Sequence, residues 1–158
     1  MSAARPHPLV TTLLVGLLLF VGADCDAKDN AKYPLPTVEM SLGGKAFTIE
    51  VADTESTREY GLMRRDSMPD THGMIFVFPE EKERGFWMKD TRFPLDIVYL
   101  TAGGKVVSVK QMKPYDRTTV PSDGPAMYAI ELNKGTAEKL GIKAGATIEL
   151  PPGLKAKN

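Results

Sequence analysis

Beyond residue 36 apolar and polar positions mostly alternate, which is the period of half-buried strands rather than of helices. Residues 37–42 and 45–51 flank Gly43-Gly44, a two-residue turn signal, and predict a hairpin. Val38, Met40 and Leu42 share one face of its first strand, and Phe47, Ile49 and Val51 are the apolar positions of its second. Asp53 or Thr54 then caps a short helix with Tyr60 and Met63 as its apolar contacts. Gly61 weakens that helix, and Arg64-Arg65 stand where cations favour a helix C-terminus. After a loop over 66–72, the apolar run 73–78 predicts a strand covered on both faces, ended by Pro79 and followed by a charged turn at 80–84.

Further strands are expected at 86–89, 95–100 and 105–112, the last pair joined through Gly103-Gly104. Residues 113–125 hold three prolines and no alternation, so they read as a long loop. A strand at 126–132 precedes a helix of one or two turns that starts at Asn133 or Thr136 and runs through Leu140. Gly141 stops it, with Ile142 placed for the hydrophobic contact of a Schellman cap. A strand at 147–150 and a frayed tail at 151–158 complete the chain. The fold class is therefore mainly β with short α: a single compact domain over 37–150, barrel-like or two-sheet, of about eight short strands with two short helices plugging its ends.

The N-terminus carries a different pattern. Arg5 and His7 precede an uncharged run, 9–22, shorter than a membrane-spanning helix needs. Small residues follow. That layout is a secretory signal peptide over 1–23, with Val21 and Ala23 at the cleavage positions. A cut after Ala27, lipidation of Cys25 and an uncleaved anchor are the alternatives, and Asp24 argues against lipidation. Residues 24–36 read as a linker. The expected location is exported, periplasmic or secreted, with no membrane span after signal cleavage.

Composition narrows the function classes. The chain of 158 residues is 42% hydrophobic and 25% charged, which excludes a disordered chain and a multi-span membrane protein. Its formal net charge of zero points to no nucleic-acid partner. One cysteine can form neither an intramolecular disulfide nor a structural zinc site, so apolar burial must stabilise the exported domain. His72 is the histidine left after cleavage, and a serine or cysteine triad would have no marked nucleophile. With no glycine-rich phosphate loop and no histidine pair spaced for zinc, no cofactor is implied.

Three constellations remain. Asp90 and Asp96 could form the carboxylate pair of a hydrolase, although a Pro-containing bend separates them and they need not face each other. Asp96 falls on the strand face of Val98 and Leu100, where a carboxylate requires backbone donors or a cation from Arg64, Arg65, Lys89 or Arg92. It is either a clamp between helix and sheet or a ligand contact. Alternation sets Trp87 opposite Phe86 and Met88, so one face can be core while the other lines a groove. Burial of both faces is the plainer alternative. Finally, Met63, Met68, His72, Met74 and Met88 crowd one stretch and offer soft ligands suited to Cu(I), although packing suffices for Met74 and Met88.

Gly61-Leu62-Met63, the run from Gly73 to Phe78, Phe86-Trp87-Met88-Lys89-Asp90-Thr91 and the run from Leu95 to Tyr99 resemble the bacterial and archaeal family known as domain of unknown function 192. Glu131-Leu132-Asn133-Lys134-Gly135 and the stretch from Gly141 to Gly145 are similar to its C-terminal signature. The resemblance runs from about Val38 to Leu150. It implies a compact, mostly β, barrel-like domain, often exported, with no established reaction or cofactor. The family's motif residues correspond to Met63, Trp87, Met88, Lys89, Asp96 and Glu131, in fold or in site, and Asp90 stands where the family pattern commonly has Asn.

Together these features predict a monomeric, non-enzymatic, exported domain with a shallow groove. Trp87 and Met88 would form its floor and Arg64, Lys89, Asp90 and Asp96 its rim, with Met63 and Glu131 as further ligand-binding candidates. The expected partner is a small polar or sugar-like ligand or an envelope protein. The alternatives are Cu(I) handling by Met63, Met68, His72 and Met74, and hydrolysis by Asp90 and Asp96.

Overall fold

The first hairpin forms as its pattern dictates. β1 (Thr37–Leu42) and β2 (Lys45–Ala52) pair antiparallel, with Gly43 and Gly44 both at positive φ, the conformation of a two-residue turn that matches strand twist. The computed structural model describes Met1 and residues 35–157, so the signal peptide, Cys25 and most of the linker lie outside the described residues. Thr54 caps α1 (Glu55–Tyr60) through a capping box with Thr57. The helix ends earlier than expected because Gly61 takes φ +48, which leaves Met63 beyond its C-terminus rather than on an apolar helical face.

β3 (His72–Lys82) runs parallel to β2, with α1 in the crossover. It continues past Pro79, where a turn was expected. A register shift between Val77 and Lys82 accommodates the proline, which has no N–H to give a ladder. β4 is only Gly85–Phe86, in place of a strand over 86–89. β5 (Leu95–Leu100) and β6 (Val106–Met112) match their alternation. The proline-rich loop contains a two-residue strand, β7 (Val120–Pro121), paired with β4.

β8 (Ala126–Asn133) leads into α2 (Thr136–Lys139). The Gly141 N–H bonds the Glu138 carbonyl and the Ile142 N–H that of Ala137, the pair of bonds that defines a Schellman cap. Instead of a strand, 147–150 makes one isolated bridge, Lys105 to Thr147. The tail is pinned: Leu154 and Ala156 pack on the core, and Lys157 Nζ reaches Asp53 Oδ2 at 2.6 Å.

The architecture is mainly β: one six-stranded mixed sheet, β1-β2-β3-β8-β5-β6, and the small β4-β7 sheet, with two short helices. The large sheet does not close into a barrel. Its central strands bury both faces, as the apolar run 73–78 predicts. Ile75, Val77, Val98, Leu100, Ile130 and Leu132 meet the side covered by α2 and the C-terminal strap. Met74, Phe76, Ile97, Tyr99 and Ala129 meet the side covered by β4, β7 and the loops around them. Among the described residues no helix is long and apolar enough to cross a membrane.

Candidate functional site

Phe86 sets the position of the candidate surface. Its ring packs edge-on against Phe76 at 4.8 Å and Tyr99 at 5.8 Å, and the Tyr99 hydroxyl donates to the Val120 carbonyl at 2.6 Å. These contacts fasten the β4-β7 ribbon to the sheet. Beyond Phe86 the alternation holds, so Met88 turns into the core and Trp87 turns out, 48% exposed. Met88 is therefore packing and not a groove floor.

Backbone hydrogen bonds lace the loop that carries Trp87 to two others. The Met88 N–H donates to the Asp116 carbonyl at 2.7 Å, the Tyr115 N–H to Thr91 at 3.1 Å, and the Arg64 N–H to Asp90 at 2.7 Å. The Arg92 guanidinium also reaches Asp66 at 2.5 Å. Arg64, Asp90 and Tyr115, with φ of +63°, +53° and +60°, are the non-glycine positive-φ residues among the described ones. Such conformations persist only where the surroundings impose them, and they gather at binding sites. Tyr115, whose loop is bonded to that of Trp87, is 61% exposed, and Lys89 Nζ sits 5.5 Å from the Trp87 ring centroid. The Thr118 amide bonds Asp116 Oδ1 and holds that carboxyl below its usual pKa.

The left-handed backbone at Asp90 accounts for Asp or Asn there, since these residues tolerate that region best after glycine. No amide donor is required. Asp90→Asn is expected to leave the urea midpoint unchanged, and Asp90→Ala to lower stability by about 1 kcal/mol. Equal losses in both variants would show that the carboxylate itself matters.

The other candidates separate from this surface. Asp96 is buried on the opposite face of the sheet, where Oδ2 accepts the Ala137 N–H at 2.9 Å. Its partner is a backbone donor, and none of Arg64, Arg65, Lys89 or Arg92 pairs with it: Arg65 holds Glu50 and Arg92 holds Asp66. The sheet thus lies between Asp96 and the loop of Asp90, so the two acids share no cleft. Met68 and Met74 are packed in the same core cluster as Met88, while Met63 and His72 are half-buried. Among the described residues no three His, Cys, Asp or Glu side chains gather to hold a metal ion.

Glu131 faces the loop side of β8, directly opposite Met74 of β3, and is buried. Burial pushes its carboxyl up to about 8, against the opposing pull of the Arg65 guanidinium. Arg65 is itself committed to Glu50 through both terminal nitrogens, with its Nη2 2.8 Å from Oε2, and its buried Nε has no partner among the described residues. Sequence reasoning missed the Arg65–Glu50 pair and Tyr115. An aromatic residue between Pro114 and Asp116 in a loop was the available signal for the latter.

The model of the family described as "Uncharacterized ACR", domain of unknown function 192, matches residues 38–150. A crystal structure of a protein of unknown function from Novosphingobium aromaticivorans is 34% identical, covering 78% of this chain and 94% of that one, with a TM-score of 0.69. A candidate transcription regulator from Sinorhizobium meliloti is likewise 34% identical, covering 72% and 90%, with a TM-score of 0.65. No curated protein matches the chain. With more than two thirds of its length spanned by one family model, the chain belongs to the domain of unknown function 192 family.

Proposed function

We propose that the protein is an exported binding domain whose ligand is a small, polar, sugar-like molecule held on the surface of Trp87, Tyr115, Lys89, Asp90 and Arg64. The observation that carries this reading is the half-exposed Trp87 on loops already fixed by backbone hydrogen bonds and positive φ. An indole face packs against the C–H face of a sugar ring, while Lys89, Asp90 and Arg64 offer charged hydrogen-bonding groups to hydroxyls. Fixed loops reduce the ordering entropy that weak ligands otherwise lose. Export rests on the charged start, short apolar run and small residues of positions 1–23.

Trp87 is the sole tryptophan, so its emission reports directly on the site. Titration with N-acetylglucosamine oligomers and malto-oligosaccharides is expected to give a saturable emission change at about 0.1–1 mM. Tyr115→Ala and Lys89→Ala should each weaken it roughly five- to tenfold, in keeping with the loss of a ring contact or a cation–π contact. Flat emission with every saccharide up to about 10 mM overturns the sugar-like ligand and leaves an envelope protein as the occupant of this surface.

A further inference from the structure

Asp96 is 2% exposed, yet only half of its carboxylate is satisfied. Oδ2 accepts the Ala137 N–H and so stands in for the cap that Gly135, at the N-cap of α2, cannot supply. Oδ1 is buried and has no hydrogen-bond partner among the described residues. A buried carboxylate oxygen without a donor is costly, and what it lacks is an N–H or an ammonium group. Asp96 lies in a groove of about 430 Å³ between α2 and the edge strand β6. Val109 and Ile142 give that groove apolar walls, while Glu138 and Lys143 give it charge. Lys110 is already held by the Pro121 carbonyl and the Asp123 carboxylate, each at 2.6 Å. Lys143 has no ion pair among the described residues.

We propose that this groove binds a free apolar α-amino acid. Its ammonium group donates to Asp96 Oδ1, its carboxylate faces Lys143, and its side chain lies along Val109 and Ile142. The groove offers a buried anion, a free cation and an apolar wall, the three features that distinguish such a zwitterion from a simple amine or acid. The site is separate from the Trp87 surface, because the sheet stands between them.

The test is an amide-shift titration of the labelled protein with three matched probes: L-leucine, isoamylamine, which lacks the carboxylate, and 4-methylpentanoate, which lacks the ammonium. Leucine is expected to move the amides of Ala137, Glu138, Gly141, Ile142 and Lys143, with isoamylamine at least about tenfold weaker and 4-methylpentanoate silent. Asp96→Asn keeps an acceptor for the Ala137 N–H and removes the charge, so leucine should bind at least about tenfold more weakly to a folded variant. Lys143→Met, at an exposed position, should weaken leucine and leave isoamylamine unchanged. The proposal is overturned if leucine moves none of these amides up to about 20 mM, or if isoamylamine binds as well as leucine. Should Asp96→Asn fail to fold, Lys143→Met decides, and an unchanged leucine affinity overturns the proposal.

Discussion

Glu131→Gln is expected to abolish a large loss of stability between pH 5 and pH 8. In the native protein burial raises the Glu131 carboxyl to about 8, whereas in the unfolded chain it returns to an ordinary glutamate value near 4.5. Between those two values the native state holds a proton that the unfolded state has released. Stability from this group is therefore complete below about pH 4.5, falls as pH rises, and levels off above about pH 8. The full loss is of order 5 kcal/mol, because each unit of displacement is worth about 1.4 kcal/mol. Glutamine keeps the size of the protonated acid and cannot ionise. The variant should match the wild type in urea midpoint near pH 4 and exceed it clearly at pH 9. Taking the difference between the two proteins removes every other titrating group. Parallel pH profiles would mean that the ionised carboxylate is well satisfied in the fold, by Arg65 or by solvent.

The acid that causes this effect was legible in the sequence only as a motif residue. Nothing local to Glu131 announces burial opposite Met74, or an Arg65 already committed to Glu50. Alternation does reveal the strand faces, because side-chain direction along a strand depends on the chain itself. That is why the strand faces of the first hairpin, the doubly covered run at 73–78 and the opposite facing of Trp87 and Met88 could be read in advance, while which of those two turns outward is decided by the ribbon's packing on the sheet.

Partners distant in sequence could not be read in this way. Asp96 was expected to need a cation or backbone donors, and its partner is the amide of Ala137, on a helix that joins the sheet only in the folded protein. The same limit explains the brief β4–β7 pairing and the lone bridge at Thr147, since each depends on which backbone groups the large sheet leaves free. The continuation of β3 past Pro79 depends on a register shift against β8, which alternation in one strand cannot show.

Gly104→Ala is expected to be among the most damaging single substitutions in the molecule, losing about 3–5 kcal/mol. Gly104 closes the turn between β5 and β6 at φ +76, and a Cβ there would lie 2.2 Å from the Ile148 carbonyl oxygen, a backbone atom with little freedom to move. The contact is close because the C-terminal strap bonds directly to this turn. The Ile148 N–H reaches the Gly104 carbonyl at 2.9 Å, the Val106 N–H reaches Ala146 at 2.8 Å, and the Gly145 N–H reaches Val106 at 2.9 Å. Displacing the strap would break these bonds and uncover Val106 and Ile148, which help seal the α2 side of the sheet. Gly103 supplies the matched control. Its Cβ would meet nothing nearer than Thr101 Oγ1 at 3.9 Å, and its φ lies outside the left-handed region. Gly103→Ala should stay within about 0.5 kcal/mol of the wild type in urea denaturation. In Gly104→Ala the Ile148 and Val106 amides should also exchange with solvent ahead of the central strands. Equal stability of the two variants would show that the strap moves aside without cost, and would remove it from the structures that hold the α2 face closed.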